Sequence, residues 1–299
     1  MSRLGIAAVL VPAAFAAAAA LPAARLSVLV VSESGVEAFN EALGGVSATL
    51  PAGTFRVVDA GGKTFDRDLG TALENNAAGV VIALGSRALA EVRGRHGALP
   101  VVAAMVLRHA SDAESGIRRV DLDIPPAAQL AAMRALWPGR TRAGIIRNPA
   151  QSRYAADALQ ACARQEGFSL LVMDCDGPSH LLKAMAAFKG KVDFVLCFAD
   201  PDLYNAMTIK PLVLASLEQR LPLVGFSPAF VRAGAAAGIF PDYADMGRQS
   251  AEMALRLLRG EERAESESPR KVQVAINQRV AHLLGVEFRP DALAAEVYR

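Results

Sequence analysis

Tryptophan occurs once in this 299-residue chain, at Trp137, and aromatic residues make up only 6% of it. Sugar sites stack rings on the pyranose face, so this scarcity weighs against a sugar ligand. Trp137, ending a helix pattern at "LWPG", reads as packing. There are three cysteines, Cys162, Cys175 and Cys197, an odd number without C-x-x-C spacing. A disulfide framework is not needed at this chain length. Cys175 and Cys197 fall on strands expected to be neighbours and could pair, but three buried thiols are the expectation. The four histidines, His96, His109, His180 and His282, are scattered and form no metal-ligand pattern. Nor is there an excess of positive charge, with 32 lysines and arginines against 30 aspartates and glutamates. A broad nucleic-acid surface would need that excess. The densest basic patch, Arg93 to His96, reads as a solvated helix end.

Catalytic motifs are missing too. "GGKT" (Gly61 to Thr64) resembles the end of a phosphate-binding loop, but Val57 stands where the loop needs its first glycine. "GFSPA" (Gly225 to Ala229) resembles a nucleophile elbow. Ala229 replaces its last glycine, and Pro228 removes the backbone N–H that an oxyanion hole would use. No G-x-G-x-x-G follows a strand, so the reading is not an enzyme, with no cofactor and no metal.

What the chain has in quantity is apolar residues, at 53%. A sizeable core is therefore expected and disorder is not. The first 24 residues are a separate matter. Arg3 begins a short basic region, an apolar run extends from Leu4 to Leu21, and Ala18-Ala19-Ala20 offers an A-x-A cleavage site. A run of about 20 apolar residues is also long enough to span a bilayer. Pro12 and the alanine-rich end suit a cleaved signal peptide over residues 1–24 better, and with it a periplasmic location.

After the leader, short apolar runs alternate with helical patterns. "LSVLVVS", "FRVVDA", "AGVVIALGS" and "LPVVAAMV" read as buried parallel strands with helices between them. The pattern then starts again. "RAGIIRNP", "SLLVMDCD", "VDFVLCFADPD" and "LPLVGFSP" are separated by helical stretches such as "YAADALQACARQEG". Two doubly wound α/β units in tandem follow, with a ligand cleft between them. The helix "PDYADMGRQSAEMALRLLRGE" comes after both are complete. Asp242 can cap it, Gly260 stops it, and Met246, Ser250, Met253, Ala254 and Leu257 make an apolar stripe. A polar linker and a last strand, "VQVAIN", come after it. A late helix of this kind implies that the chain crosses back to the first unit and then returns to the second.

The ordered stretches "VIALGSRALAEV", "LPVVAAMV", "AAQLAAMRALWPGRTRAGIIRNP", "LPLVGFSPAFVRAGAAAGIFPDYADMGRQSAEMALRLLRGE" and "VQVAINQRVAHLLGV" resemble the substrate-binding proteins of ABC transporters. The resemblance runs from about Arg25 to Gly285. It implies a type I periplasmic-binding fold, two lobes joined by three chain crossings. The lobes would be 25–120 plus 230–262, and 121–229 plus 263–299. It also implies a monomer, a small organic solute as ligand and an ABC permease as partner.

In open α/β sheets, ligands meet the loops at the carboxyl ends of the strands. In the first unit those loops carry Ser32, Ser34, Gly85 and Ser86. In the second they carry Asn148, Ser152, Tyr154, Asp200, Tyr204, Asn205 and Ser227, and Asp242 opens the late helix. Hydroxyls and free N–H groups suit a carboxylate, Asp200 suits an ammonium, and Tyr154 and Tyr204 could clamp an aliphatic or ring group. Each of these polar residues is also an ordinary cap or turn former. The favoured ligand is an amino acid or related carboxylate. The alternatives are a sugar, or an exported ligand-sensing subunit on the same fold. A repressor is nearly excluded, because the expected leader stands where its DNA-binding headpiece would be.

Overall fold

The computed structural model describes residues 28–74, 78–107, 116–261, 265–293 and 295–298. The expected leader, His109 and part of the polar linker lie outside them. Among the described residues, no helix is long and apolar enough to cross a membrane.

Two sheets organise the chain. Strands β1 (Val28–Ser32), β2 (Phe55–Asp59), β3 (Val80–Leu84), β4 (Val101–Ala104) and β5 (Ile117–Val120) belong to the first. The second takes β6 (Arg142–Arg147), β7 (Ser169–Asp174), β8 (Phe194–Leu196), β9 (Leu223–Gly225) and β10 (Ala237–Pro241). Of the late strands, β11 (Ser266–Glu267) joins the first sheet, while β12 (Val272–Asn277) and β13 (Glu296–Tyr298) join the second. The orders are β11-β5-β4-β3-β1-β2 and β13-β12-β10-β9-β8-β6-β7, parallel throughout except for the β10–β12 pair. Strands β1, β3 and β4 are buried along their whole length, as parallel strands covered on both faces must be.

The helices run between the strands. They are α1 (Glu37–Thr49), α2 (Phe65–Glu74), α3 (Ser86–Val92), α4 (Pro126–Leu136), α5 (Ala156–Gln165), α6 (Pro178–Ala187), α7 (Ile209–Gln219), α8 (Pro228–Ala233), α9 (Tyr243–Leu258) and α10 (Gln278–Leu284). The late helix α9 lies on the first sheet. Met246, Met253 and Ala254 enter the same core cluster as Val28, Val30 and Ile82. Leu257, expected to be buried with them, is only partly so, because it lies in the last turn. As expected, the Asp242 carboxylate caps the helix, accepting from the Asp245 N–H at 2.8 Å.

The path of α9 is set by two glycines. At its crossing with α1, a Cβ on Gly247 would overlap the Ala42 carbonyl, and one on Gly45 would overlap the Ala244 carbonyl. Only hydrogen fits at either position, which allows the two helix backbones to touch.

The chain passes between the sheets three times, at 121–125, at Asp242 and at 268–271. These positions correct the expected boundaries. Ala237–Pro241 was placed in the first lobe but is a strand of the second sheet, held between β9 and β12. Ser266–Glu267 was placed in the second lobe but pairs with β5 in the first. The third crossing is tied to α9. Arg270 donates to Asp245 at 2.8 Å and to Glu252 at 2.8 and 3.0 Å, and Gln249 bonds the backbone at Ser268 and Arg270.

The cysteines are free. Strand β6 sits between β7 and β8, so Cys175 and Cys197 do not follow neighbouring strands as expected. Cys162 is half-buried rather than buried. Trp137 packs edge-on against Phe288 at 5.5 Å.

Candidate functional site

Strand ends from both sheets converge on a cleft whose floor is formed by the crossings. The carboxyl end of β6 continues into the turn "NPAQSRY". There the Asn148 side-chain amide oxygen accepts from the Ala150 N–H at 3.0 Å, and Ser152 Oγ donates to the Tyr154 carbonyl at 3.1 Å. This turn presents Gln151, Ser152, Arg153 and Tyr154 to a cavity that Asp123, Arg147, Phe198 and Asp200 also line.

Arg153 gives the cavity its main electrostatic feature. It reaches from the second-sheet side to Asp121 at 3.1 Å and Asp123 at 3.7 Å. Asp121, at the end of β5, is only 2% exposed, so the pair is taken out of water at its acidic end. The guanidinium also stands 5.4 Å from the Tyr154 ring centroid. Burial pushes the Tyr154 phenol above its ordinary pKa, and the Arg153 charge works against that shift. Tyr154 is therefore a neutral hydroxyl at any physiological pH.

A second cavity adjoins the first through Leu107, Asp123, Ile124, Phe198 and Ala199. Leu122, Phe226, Ile239, Pro241 and Tyr243 make most of its remaining wall apolar. Its polar groups are largely occupied: the Gln129 amide donates to the Ile124 carbonyl at 3.0 Å, and Ser227 Oγ accepts from the Phe230 N–H at 3.2 Å to cap α8. The cleft thus offers a polar, charged wall beside an apolar floor.

Of the residues expected in the site, Ser152, Tyr154, Asp200 and Ser227 line these cavities. Asp200 is also a turn former, since its carboxylate accepts from the Asp202 and Leu203 N–H groups at 3.0 and 3.2 Å. That turn sends Tyr204 inward, which corrects the expectation that it clamps a ligand. Tyr204 is 5% exposed, donates to the Ile146 carbonyl and packs on Phe226 and Phe230 at 5.8 and 5.9 Å. Asn205 is spent on the same loop, bonding Pro201, Asp202 and Met207. Ser32 is buried at the end of β1, and Ser34 bonds Asp59 with both its N–H and its hydroxyl. Gly85 is buried and turns the chain at φ +98°, with Phe39 packed where a side chain would stand. Ser86 beside it is exposed, outside the cavities. Asn148 and Asp242 serve their turn and their cap.

Sequence reasoning missed Arg153, Gln151, Phe198, Phe226 and Tyr243. Phe198 and Phe226 each stand one or two residues past a buried strand, the same signal that marked the serines. Among the described residues no group of three or more histidines, cysteines, aspartates or glutamates is placed to hold a metal. His180 pairs instead with exposed Asp176 at 2.5 Å.

Comparison with known proteins places this geometry. The family model described as ABC transporter substrate binding protein matches residues 95–297. A tyrosine-binding protein of Clostridioides difficile is 24% identical over 133 residues, 44% of this chain and only 38% of that protein's length. Among solved structures, the ligand-free, open form of a substrate binding protein with adhesive properties from Clostridium difficile matches with a TM-score of 0.66 at 15% identity, covering 92% of this chain and 99% of the other. A Streptococcus pneumonia ABC domain in complex with L-Trp matches with a TM-score of 0.58 at 17% identity, covering 91% and 99%. At such identities the structures share the fold, a two-lobed α/β architecture of the type I periplasmic-binding class.

Proposed function

Because the chain belongs to the ABC transporter substrate-binding protein family, we propose that it is exported and captures an amino acid or related small carboxylate between its lobes for delivery to an ABC importer. The observation that carries this reading is the cleft itself, a charged wall continuous with an apolar floor. An amino acid has the same two faces. Its charged end suits Ser152, Arg153 and Asp200, and its side chain suits Phe198, Phe226 and Ile124. The relatives named for tyrosine and bound to L-Trp support this class of ligand. In this reading the first lobe is 28–120 with 242–267, and the second is 126–241 with 271–298. A solute touching both favours the closed form, because only that form makes both sets of contacts.

The test is a thermal-shift screen of amino acids, small carboxylates and sugars on refolded, ligand-stripped protein. A true ligand at a hundredfold excess over its Kd stabilises the native state by about 2.7 kcal/mol. Asp200→Ala and Ser152→Ala are expected to weaken the best amino acid by about tenfold or more, the worth of a charged hydrogen bond. If only sugars shift the melting point, the cleft stands and the amino-acid reading falls. If an amino acid binds both folded variants with full affinity, the site is wrong.

A further inference from the structure

Among the described residues, Arg147 and Arg153 both line the first cavity, and they are not equivalent. Arg147, at the end of β6, is spent. Its Nε and Nη2 donate to the Asp174 carboxylate at 2.7 and 3.3 Å, and its Nη1 donates to the Tyr154 carbonyl at 2.9 Å. Arg153 is held by one corner only. Both of its acidic partners approach the same nitrogen, Nη1, Asp121 at 3.1 Å and Asp123 at 3.7 Å. Among the described residues no group bonds its Nε or Nη2. Neither atom is a buried orphan, and the side chain is 27% exposed.

The nitrogens left over are the ones suited to recognition. Nε–H and an Nη2–H lie parallel along one edge of a guanidinium, spaced to meet both oxygens of a carboxylate. A guanidinium has donors enough to serve one carboxylate at Nη1 and another along that edge. The rest of the group is already fixed. Asp121 is buried, and its N–H donates to the Glu267 carbonyl at 2.9 Å, which anchors it in the first sheet. The Tyr154 ring stands 5.4 Å from the centre of the guanidinium. An arginine tethered and stacked in this way gives up little side-chain freedom when a further partner arrives.

We infer that Arg153 is the carboxylate receptor of the cleft, its Nε–Nη2 edge taking both oxygens of the solute's carboxylate while Asp121 holds Nη1. The inference rests on the cleft being a capture site for an amino acid or related acid, and it assigns one end of that solute to one side chain. The solute must then carry a free carboxylate, and an amide of the same shape is rejected. Anion recognition falls to the turn after β6 rather than to the serines that follow β1 and β3. Lysine cannot stand in for Arg153, because it keeps the charge without the fork.

Titration calorimetry at neutral pH tests this with L-leucine, L-phenylalanine and L-tryptophan, each against its own carboxamide. The acid is expected to bind about tenfold or more tightly than the amide, as for a charged hydrogen bond. Arg153→Gln should bring that ratio close to one, and Arg153→Lys should lower it, with the fold of each checked by circular dichroism. A loss of packing alone would weaken acid and amide together and leave the ratio unchanged. A ratio near or below one in the native protein, or one unchanged in either folded variant, overturns the receptor. Amino-acid capture then stands wherever an acid still binds. If none of the six compounds binds, receptor and amino-acid capture fall together.

Discussion

Replacing Gly247 by alanine should destabilise this protein, although the same change in most helices does the opposite. In an exposed helix interior, alanine is favoured over glycine by about 1 kcal/mol. Gly247 has ordinary helical backbone, so that gain is available here too. Against it stands the Ala42 carbonyl of α1, which the new methyl would overlap. The obstacle is backbone in a packed helix and cannot swing aside as a side-chain tip could. The helices must part, loosening the contacts of Ala42, Val46, Met246 and Ser250 at the crossing. Overpacking of this kind costs about 1–3 kcal/mol, which outweighs the propensity gain. Urea unfolding should show a lower midpoint with an unchanged slope, and hydrogen exchange should quicken in α1 and α9 before the second lobe. Gly45→Ala meets the Ala244 carbonyl at the same crossing, so the double variant should lose less than the sum of the two. A Gly247→Ala protein more stable by about 1 kcal/mol would refute the close crossing, and with it the docking of α9 on the first sheet.

Arg153→Ala should cost about 1–3 kcal/mol, below the full cost of breaking a buried pair because the arginine is partly in solvent; a double-mutant cycle with Asp121→Asn measures the coupling. Acid should weaken the third crossing. Burial alone would raise the Asp245 carboxyl, but hydrogen bonds from Arg270 and Arg248 and the charges of Arg270 and Lys271 prevail and hold it below its ordinary value. A carboxyl lowered on folding stabilises the protein above its unfolded pKa of about 4 and loses that contribution as pH falls through the folded value. Urea melts between pH 7 and pH 3 should therefore show a shallower acid loss in Asp245→Asn than in the native chain.

The alternation of buried runs and helical patterns made both sheets legible, and the late helix with its Asp242 cap and Gly260 stop was readable to within a residue or two. The strands that escaped were short or unusual in composition. Ile117–Val120 carries Arg118 and Arg119 within a four-residue strand, and Ala237–Pro241 ends in proline at the point where the chain leaves the sheet. Glu296–Tyr298 is three residues pairing along a sheet edge, too brief for any periodicity. At the candidate site, strand ends pointed to loops that line the cleft but not to most of the side chains that do. Asp200 and Tyr204 are four residues apart on one loop, yet the turn that Asp200 closes directs Tyr204 into the core. Arg153 lies beside Ser152 and Tyr154 but carries no local signal, because its partners Asp121 and Asp123 are some 30 positions away in sequence. Such pairings are made by tertiary packing, and local pattern does not contain them.

Capture by this protein requires the two lobes to close on a small solute. Small-angle scattering of the ligand-stripped protein, with and without the amino acid that gives the largest thermal shift, tests this most directly. The radius of gyration should fall on saturation, and the fall should follow the binding isotherm. Saturation by that amino acid with no change in the radius of gyration would contradict capture between the lobes.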